Sequence, residues 1–475
     1  MSNLTTSSAG RRILSLLDGN SFVEIGASVQ ARSTDFNAKP EEAPGDGVVT
    51  GYGTIEGRLV YVYSQDADQL GGSVGEMHAK KIVSLYELAR KTGYPVIGLL
   101  DSTGMRLTES TDALAAVGSI YKAMSECSGV IPQITAVFGN AGGGMAVLTE
   151  LSDFVLMEEK SGKLFVNSPN AVEGNYEEKK DTASAAYKAS EAGVVDVTAE
   201  GDEVLTKIRE LVSFLPDNCE DEAYLEETDD DLNRASADLA GCAGDTAQAL
   251  VRIADNGEFF ETKAQFAKHM VTGFIRLNGS TVGVFANRSE ILGEKADKFK
   301  NVLTVKGIKK ALKFVKFCDA FNIPILSLTN VSGFCNCECA ERNIATAAAQ
   351  LTAALATTSV PKVNVIVGEA YGSAAVVMNS KAIGADYVYA WKSAKVGAID
   401  GKHAAEILYD GADASVKSQK AAEYDALQAS SLSAAARGYV DTLIDPADTR
   451  KYVIGAFEML YGKDSMIPDK KHGTI

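Results

Sequence analysis

The residues best placed to do chemistry in this 475-residue chain are two glycine turns in each half. In the first half they are Gly104-Met105, after the apolar run VIGLLDST, and Gly143-Gly144, between ITAVFGNAG and the small-residue stretch MAVL. In the second half they are Gly333-Phe334 and Gly372-Ser373-Ala374. Each turn follows a predicted strand, and the second of each pair opens a predicted helix whose first N–H groups carry partial positive charge. Two such N–H groups converging on one oxygen form an oxyanion hole, which stabilises an enolate as it develops from a carbonyl. Gly104 or Met105 would act with Gly143 or Gly144, and Gly333 or Phe334 with Gly372, Ser373 or Ala374. The competing reading gives these glycines only tight turns and close helix–strand packing. Recurrence of the layout in both halves weighs against it.

Other chemistries find less support. GNAGGG lacks the G-x-G-x-x-G spacing of a dinucleotide site, and no G-x-S-x-G marks a serine hydrolase. His78, His269, His403 and His472 stand in no nucleophile or metal spacing. Glu109 and Glu150 lie near the glycine turns but read as surface or helix-capping carboxylates. Cys335, Cys337 and Cys339 in FCNCECAERN lack C-x-x-C pairing and a clear fourth ligand, so they read as a loop thiol cluster without metal.

The elements that must hold these turns occur twice. TGYGTIEG followed by RLVYV resembles TGFIRLNG followed by STVGV at an offset of 222 residues, and each reads as a β-hairpin. HAKKIVSLYELARKTGYPVIGLLDSTG and GIKKALKFVKFCDAFNIPILSLTNVSG each spell an amphipathic helix and a buried strand. Pro95 matches Pro324, and Gly143 matches Gly372, both at an offset of 229. A period this long denotes a duplicated domain rather than a solenoid. Strands alternating with helices imply parallel sheets in an α/β fold. The acidic stretch DNCEDEAYLEETDDD, from Asp217 to Asp231, reads as a solvated linker, which predicts domains over 1–235 and 236–475.

Composition narrows the partners. Lys+Arg 46 against Asp+Glu 63 gives a formal charge of -17, which argues against nucleic acid or an anionic membrane surface. No run approaches the roughly 18 apolar residues of a membrane span, and the N-terminal stretch lacks a signal-peptide apolar region. Seven cysteines, an odd number, fit reduced thiols, and the expectation is a soluble cytoplasmic protein.

Five stretches together carry a family resemblance: Val62 to Ile82, Ser128 to Met157, Asn256 to Asn287, Lys313 to Phe334 and Ala370 to Trp391. In this order they resemble the carboxyltransferase subunits of biotin-dependent acyl-CoA carboxylases and decarboxylases, of the propionyl-CoA carboxylase β and methylmalonyl-CoA carboxyltransferase kind. The resemblance implies tandem crotonase-like ββα superhelix domains. It puts acyl-CoA on the N-terminal half of one subunit and biotin on the C-terminal half of a partner, in dimers that assemble to a hexamer. It implies one hole for the thioester enolate and one for the ureido oxygen of biotin, with proton transfer between the α-carbon and biotin itself. With no Met-Lys-Met sequence and no ATP-grasp pattern, biotin would come on a biotin carboxyl carrier protein, with a biotin carboxylase or a membrane decarboxylase subunit as further partner.

Substrate contacts are expected from Ala141, Gly142, Tyr371 and Val376, the last as the residue that selects the acyl branch. Arg106 is expected either to meet a CoA phosphate or to organise its loop by ion pairing, with Lys80 a weaker phosphate candidate. The chain departs from the family pattern mainly near the second site. Asn330 and Ser332 stand where Asp and Pro are usual, Ser373 replaces a glycine, and Lys392 replaces a proline. Residues 170–195 are poor in the glycines and histidine that the family tends to place there. These departures motivate a further alternative, a catalytically weakened assembly subunit.

Overall fold

The structure is a computed structural model, and it describes residues 4–32, 43, 45–223, 225–293 and 296–464. The chain divides into two compact units, Met1–Glu222 and Ala223–Ile475. The division falls ahead of the expected 235/236 boundary because the chain after it is tied to the second unit. There Arg234 donates to the carbonyls of Arg252 and Ala254, and Arg450 reaches the Asp231 carbonyl. The acidic stretch contains the division and most of its described residues are exposed, as in a solvated linker, but both of its ends are anchored. Asp217 pairs with Arg58 at 2.7 Å within the first unit, and Asp230 pairs with Arg234 at 2.7 Å within the second.

The first unit is built on an eight-stranded sheet. The Val48–Ile55 and Arg58–Gln65 strands form an antiparallel hairpin, and Val96–Ser102, Gln133–Gly142 and Phe154–Glu158 follow in parallel beside it. The hairpin turns at Glu56-Gly57, both at positive φ as a two-residue turn matching strand twist requires. The second unit repeats this order. Met270–Leu277 and Ser280–Asn287 form the hairpin about Asn278-Gly279, and Ile325–Val331, Lys362–Tyr371 and Tyr387–Trp391 follow in parallel.

Helices between the parallel strands cover the sheets, as the apolar spacing predicts. Glu76–Thr92 buries Ile82, Leu85 and Ala89, and ends at Gly93 in the left-handed conformation. Its counterpart Val305–Ala320 starts at Thr304, whose hydroxyl caps Gly307, and buries Ile308, Ala311 and Val315. Each unit has its own apolar core, around Val96, Leu100 and Val137 in the first and Leu326, Leu328 and Val365 in the second. Among the described residues no helix is long and apolar enough to cross a membrane.

Candidate active site

In the first unit a bulge brings the two glycine turns together. Val96–Ser102 and Gln133–Gly142 run in register to Leu100, then the pairing shifts so that Ser102 lies opposite Ala141. Just beyond, Met105 forms an isolated parallel bridge with Val74. The Val74 N–H donates to the Gly104 carbonyl at 2.8 Å, and the Arg106 N–H donates back to the Val74 carbonyl at 2.9 Å. This parallel pattern uses the groups on either side of Met105, and among the described residues the Met105 N–H has no acceptor. The Gly104 N–H is taken by the Ser102 hydroxyl at 3.1 Å.

Gly143 caps the Gly144–Glu150 helix with φ 59° and ψ -119°, a backbone that side-chain-bearing residues rarely adopt. A Cβ placed there would meet nothing within 4 Å, so the backbone conformation, not crowding, demands glycine. Its N–H donates to the Phe165 carbonyl at 2.8 Å. The two expected pairs are thus narrowed: Gly104 and Gly143 spend their amides on the protein, which leaves Met105 and Gly144. Gly144 is glycine for a different reason, since its Cβ would stand 2.8 Å from the Tyr121 hydroxyl, which donates to the Gly144 carbonyl at 2.6 Å.

The second unit repeats this construction at the same offset of 229 residues. The register shifts between Thr329 and Val331, and Val331 lies opposite Ala370. Phe334 bridges Leu303, with the Leu303 N–H on the Gly333 carbonyl at 2.9 Å and the Cys335 N–H on the Leu303 carbonyl at 2.8 Å. Among the described residues the Phe334 N–H has no acceptor. Gly372 has φ 62°, and a Cβ there would meet the Ala398 carbonyl at 3.3 Å. Ser373 is exposed and Ala374 is buried. An amide left over beside a glycine-opened helix can hold a developing oxyanion, and both units carry one.

The side chains differ from the expectations at several points. Arg106 is only 7% exposed, so it is not available to a phosphate. Its guanidinium contacts Asp46, lies 2.9 Å from Glu109, and donates to the Ser73 hydroxyl and carbonyl. Of the two roles expected for Arg106, the geometry has loop organisation by ion pairing. Burial raises the Asp46 pKa against the opposing pull of Arg106. Glu109 is itself buried in this cluster and accepts from the Glu76 N–H at 2.6 Å, whereas Glu150 is exposed. Lys80 is exposed and pairs with Glu76 at 3.0 Å.

Ala141, Gly142 and Tyr371, expected to touch substrate, are all buried and held in their strands next to the turns. Tyr371 is 3% exposed, and burial raises the pKa of its hydroxyl. His78 is buried against Asp46, and loss of solvent brings its pKa down to about 3. His269 contacts the Thr304 hydroxyl, and burial lowers its pKa to about 4. His403 pairs with Asp400, while His472 lies outside the described residues.

The departures near the second site are accommodated. The Asn330 Oδ1 accepts from Asn301 Nδ2 and from the Glu369 N–H, both at 3.0 Å, and its Nδ2 donates to the Ala243 carbonyl at 2.9 Å. An aspartate could not make that last bond. At the matching first-unit position Asp101 instead accepts from Arg12 at 2.9 Å. Ser332 donates through both N–H and hydroxyl to the Asn301 carbonyl. Val376, 38% exposed, lines a cavity of about 330 Å³ together with Gly372, Ile366, Ala370 and Ser380. Sequence reasoning missed Tyr121, Asp46 and Ser73, which lie on elements that no local spacing connects to the turns.

The model of the carboxyl transferase domain family matches residues 7–475. The chain belongs to this family. The carboxyltransferase is 39% identical to a propionyl-CoA carboxylase beta chain of Roseobacter denitrificans, over 98% of its own length and 93% of the relative's. It is 38% identical to the methylmalonyl-CoA decarboxylase subunit alpha of Veillonella parvula, over 98% and 92%. Among solved structures it resembles transcarboxylase 12S, a hexamer solved with hydrolysed methylmalonyl-coenzyme A bound, with 34% identity and a TM-score of 0.92 over 99% of this chain and 93% of that one. The duplicated α/β units are thus crotonase-like, and the protein is an enzyme, a carboxyltransferase of the biotin-dependent acyl-CoA carboxylase type.

Proposed function

We propose that this carboxyltransferase moves a carboxyl group between biotin and a short-chain acyl-CoA of the propionyl- and methylmalonyl-CoA or acetyl- and malonyl-CoA type. The observation that carries the site assignment is a pair of amides without an acceptor among the described residues, Met105 and Phe334, at equivalent places in two duplicated turns. The Met105 and Gly144 N–H groups hold the thioester oxygen as the α-carbon loses its proton, lowering the cost of the enolate. Phe334 and Ser373 supply the second set of donors, for the ureido oxygen. The ureido oxygen suits that place because, among the described residues, the Phe334 amide has no acceptor beside the Gly372 turn. Biotin, arriving on a separate carrier protein, supplies the carboxyl group and accepts the α-proton. The side chains around the Met105 turn agree with this division of work, since Glu109 is bound up with Arg106 and His78 is buried.

The enzyme works as a dimer in which the first half of one chain meets the second half of its partner, and such dimers assemble to a hexamer in the cytoplasm. A second reading shares the half-reaction and reverses its direction, as the subunit of a membrane-coupled decarboxylase. The near-equal identities to a carboxylase chain and a decarboxylase chain support keeping it. A biotin carboxylase partner or a hydrophobic membrane subunit decides between them. The purely scaffolding alternative loses its motive, because Asn330 and Ser332 are hydrogen-bonded in place and the Phe334 amide remains unspent. The test is carboxylation of free biotin by the purified protein with malonyl-CoA, methylmalonyl-CoA or glutaconyl-CoA as donor. Methylmalonyl-CoA or malonyl-CoA is expected to transfer, and failure of all three would overturn the proposal.

A further inference from the structure

The position after the first-unit turn is the clamped Arg106, and its second-unit equivalent is Cys335. Cys335 begins a loop, Cys335-Asn336-Cys337-Glu338-Cys339, with no buried ion pair to hold it among the described residues. The Cys337 Sγ lies 2.7 Å from the Cys339 Sγ and 3.6 Å from the Cys335 Sγ. Cys337 and Cys339 are exposed, whereas Cys127, Cys242 and Cys318 are buried. Among the described residues no three His, Cys, Asp or Glu side chains are arranged to hold a metal ion.

We propose that Cys337 and Cys339 form a dithiol that hydrogen peroxide oxidises reversibly to a disulfide, a redox modification site beside the second-unit glycine turn. The hydrogen bond shared with Cys339, and after it the Ala340 N–H, which donates to the Cys337 Sγ at 3.3 Å, lower the Cys337 pKa, and the amide favours Cys337 as the sulfur that attacks. It displaces one peroxide oxygen as water and becomes a sulfenic acid. Cys339, whose pKa is raised by the same hydrogen bond, then attacks the Cys337 sulfur, forms the S–S bond and releases the second water. Two thiols are oxidised and one peroxide is reduced to two waters. The ring closed by residues two apart is small, and an exposed bond of this kind is readily reduced by thiols. Burial pushes the Cys127 thiol up to about 11 and raises the Cys318 thiol well above the usual range, which leaves both unreactive.

The test treats the purified full chain with hydrogen peroxide, alkylates the remaining thiols with iodoacetamide and maps them by mass spectrometry. Cys337 and Cys339 should lose alkylation together and regain it after dithiothreitol, while Cys127 and Cys318 stay unoxidised. In a Cys335→Ser, Cys339→Ser double variant, Cys337 should be trapped by dimedone as the sulfenic acid. The proposal fails if Cys337 and Cys339 alkylate as fully after peroxide as before, if Cys335 or Cys219 is oxidised ahead of them, or if dithiothreitol does not restore them. None of these outcomes depends on carboxyl transfer, so the test stands apart from the assigned activity.

Discussion

The two units share a backbone plan and differ in what surrounds it. Both bend the strand pair at the same bulge, and among the described residues neither the Met105 amide in one nor the Phe334 amide in the other has an acceptor. The first unit locks its loop with a buried charge cluster of Arg106, Asp46 and Glu109, and packs Phe165 against Gly142. The second unit has Cys335 where Arg106 would be and Gly397 where Phe165 would be, and it contains the cavity beside Val376. Backbone donors survive such divergence because they belong to the chain itself, whereas clamps and pocket walls are free to change. A duplicated fold can thereby keep one kind of hole and fit it to two different carbonyl compounds.

The largest expected effect comes from removing the clamp. Arg106→Met leaves Asp46 and Glu109 buried without their partner and should cost about 3–5 kcal/mol of first-unit stability. Cys335→Ser, at the equivalent loop position, should change stability by less than about 0.5 kcal/mol. Urea denaturation of both variants checks this, and equal losses would erase the contrast between the units.

Next in size is the turn itself. Gly143→Val forces a β-branched residue to φ 59° and displaces the amide that follows, so transfer should fall on the order of 10²–10³-fold. Ser373→Gly should leave transfer nearly unchanged, because the donor there is backbone. Steady-state rates on protein of unaltered oligomeric state measure both, and wild-type turnover in Gly143→Val would mean that the first-unit hole is misassigned.

Much of the backbone plan is legible in the sequence. The hairpin turns at Glu56-Gly57 and Asn278-Gly279, the helix stop at Gly93 and the glycine turns after each strand all follow from local spacing and turn chemistry. The choice of amide within each turn is not legible there. It depends on the bridges from Val74 and Leu303, which are set by contacts about thirty residues away in the chain. Arg106 is ambiguous in the sequence because its partner Asp46 lies 60 residues earlier. The burial of Ala141, Gly142 and Tyr371 is not legible either, because strand residues next to a turn are held in the ladder while the turn emerges from it.

A smaller effect is expected at the cavity. Val376→Asp places a carboxylate on a mostly apolar wall and should change the preference among acetyl-, propionyl- and butyryl-CoA. A methylene in such a pocket is worth about 1–3 kcal/mol, so the ratios should move without becoming absolute. Competition assays read those ratios, and unchanged values would remove Val376 from the acyl pocket.

Two different holes, one from each half, are expected to act together across a dimer. The direct measurement co-expresses Gly143→Val and Gly372→Val chains, each inactive alone, and assays carboxyl transfer after confirming that mixed dimers form. A mixed dimer has one site with both holes intact, so random pairing in a symmetric dimer should restore about a quarter of wild-type activity. Mixed dimers that remain inactive would mean that the first and second halves of one chain build the site by themselves, which contradicts a catalytic centre shared between two chains.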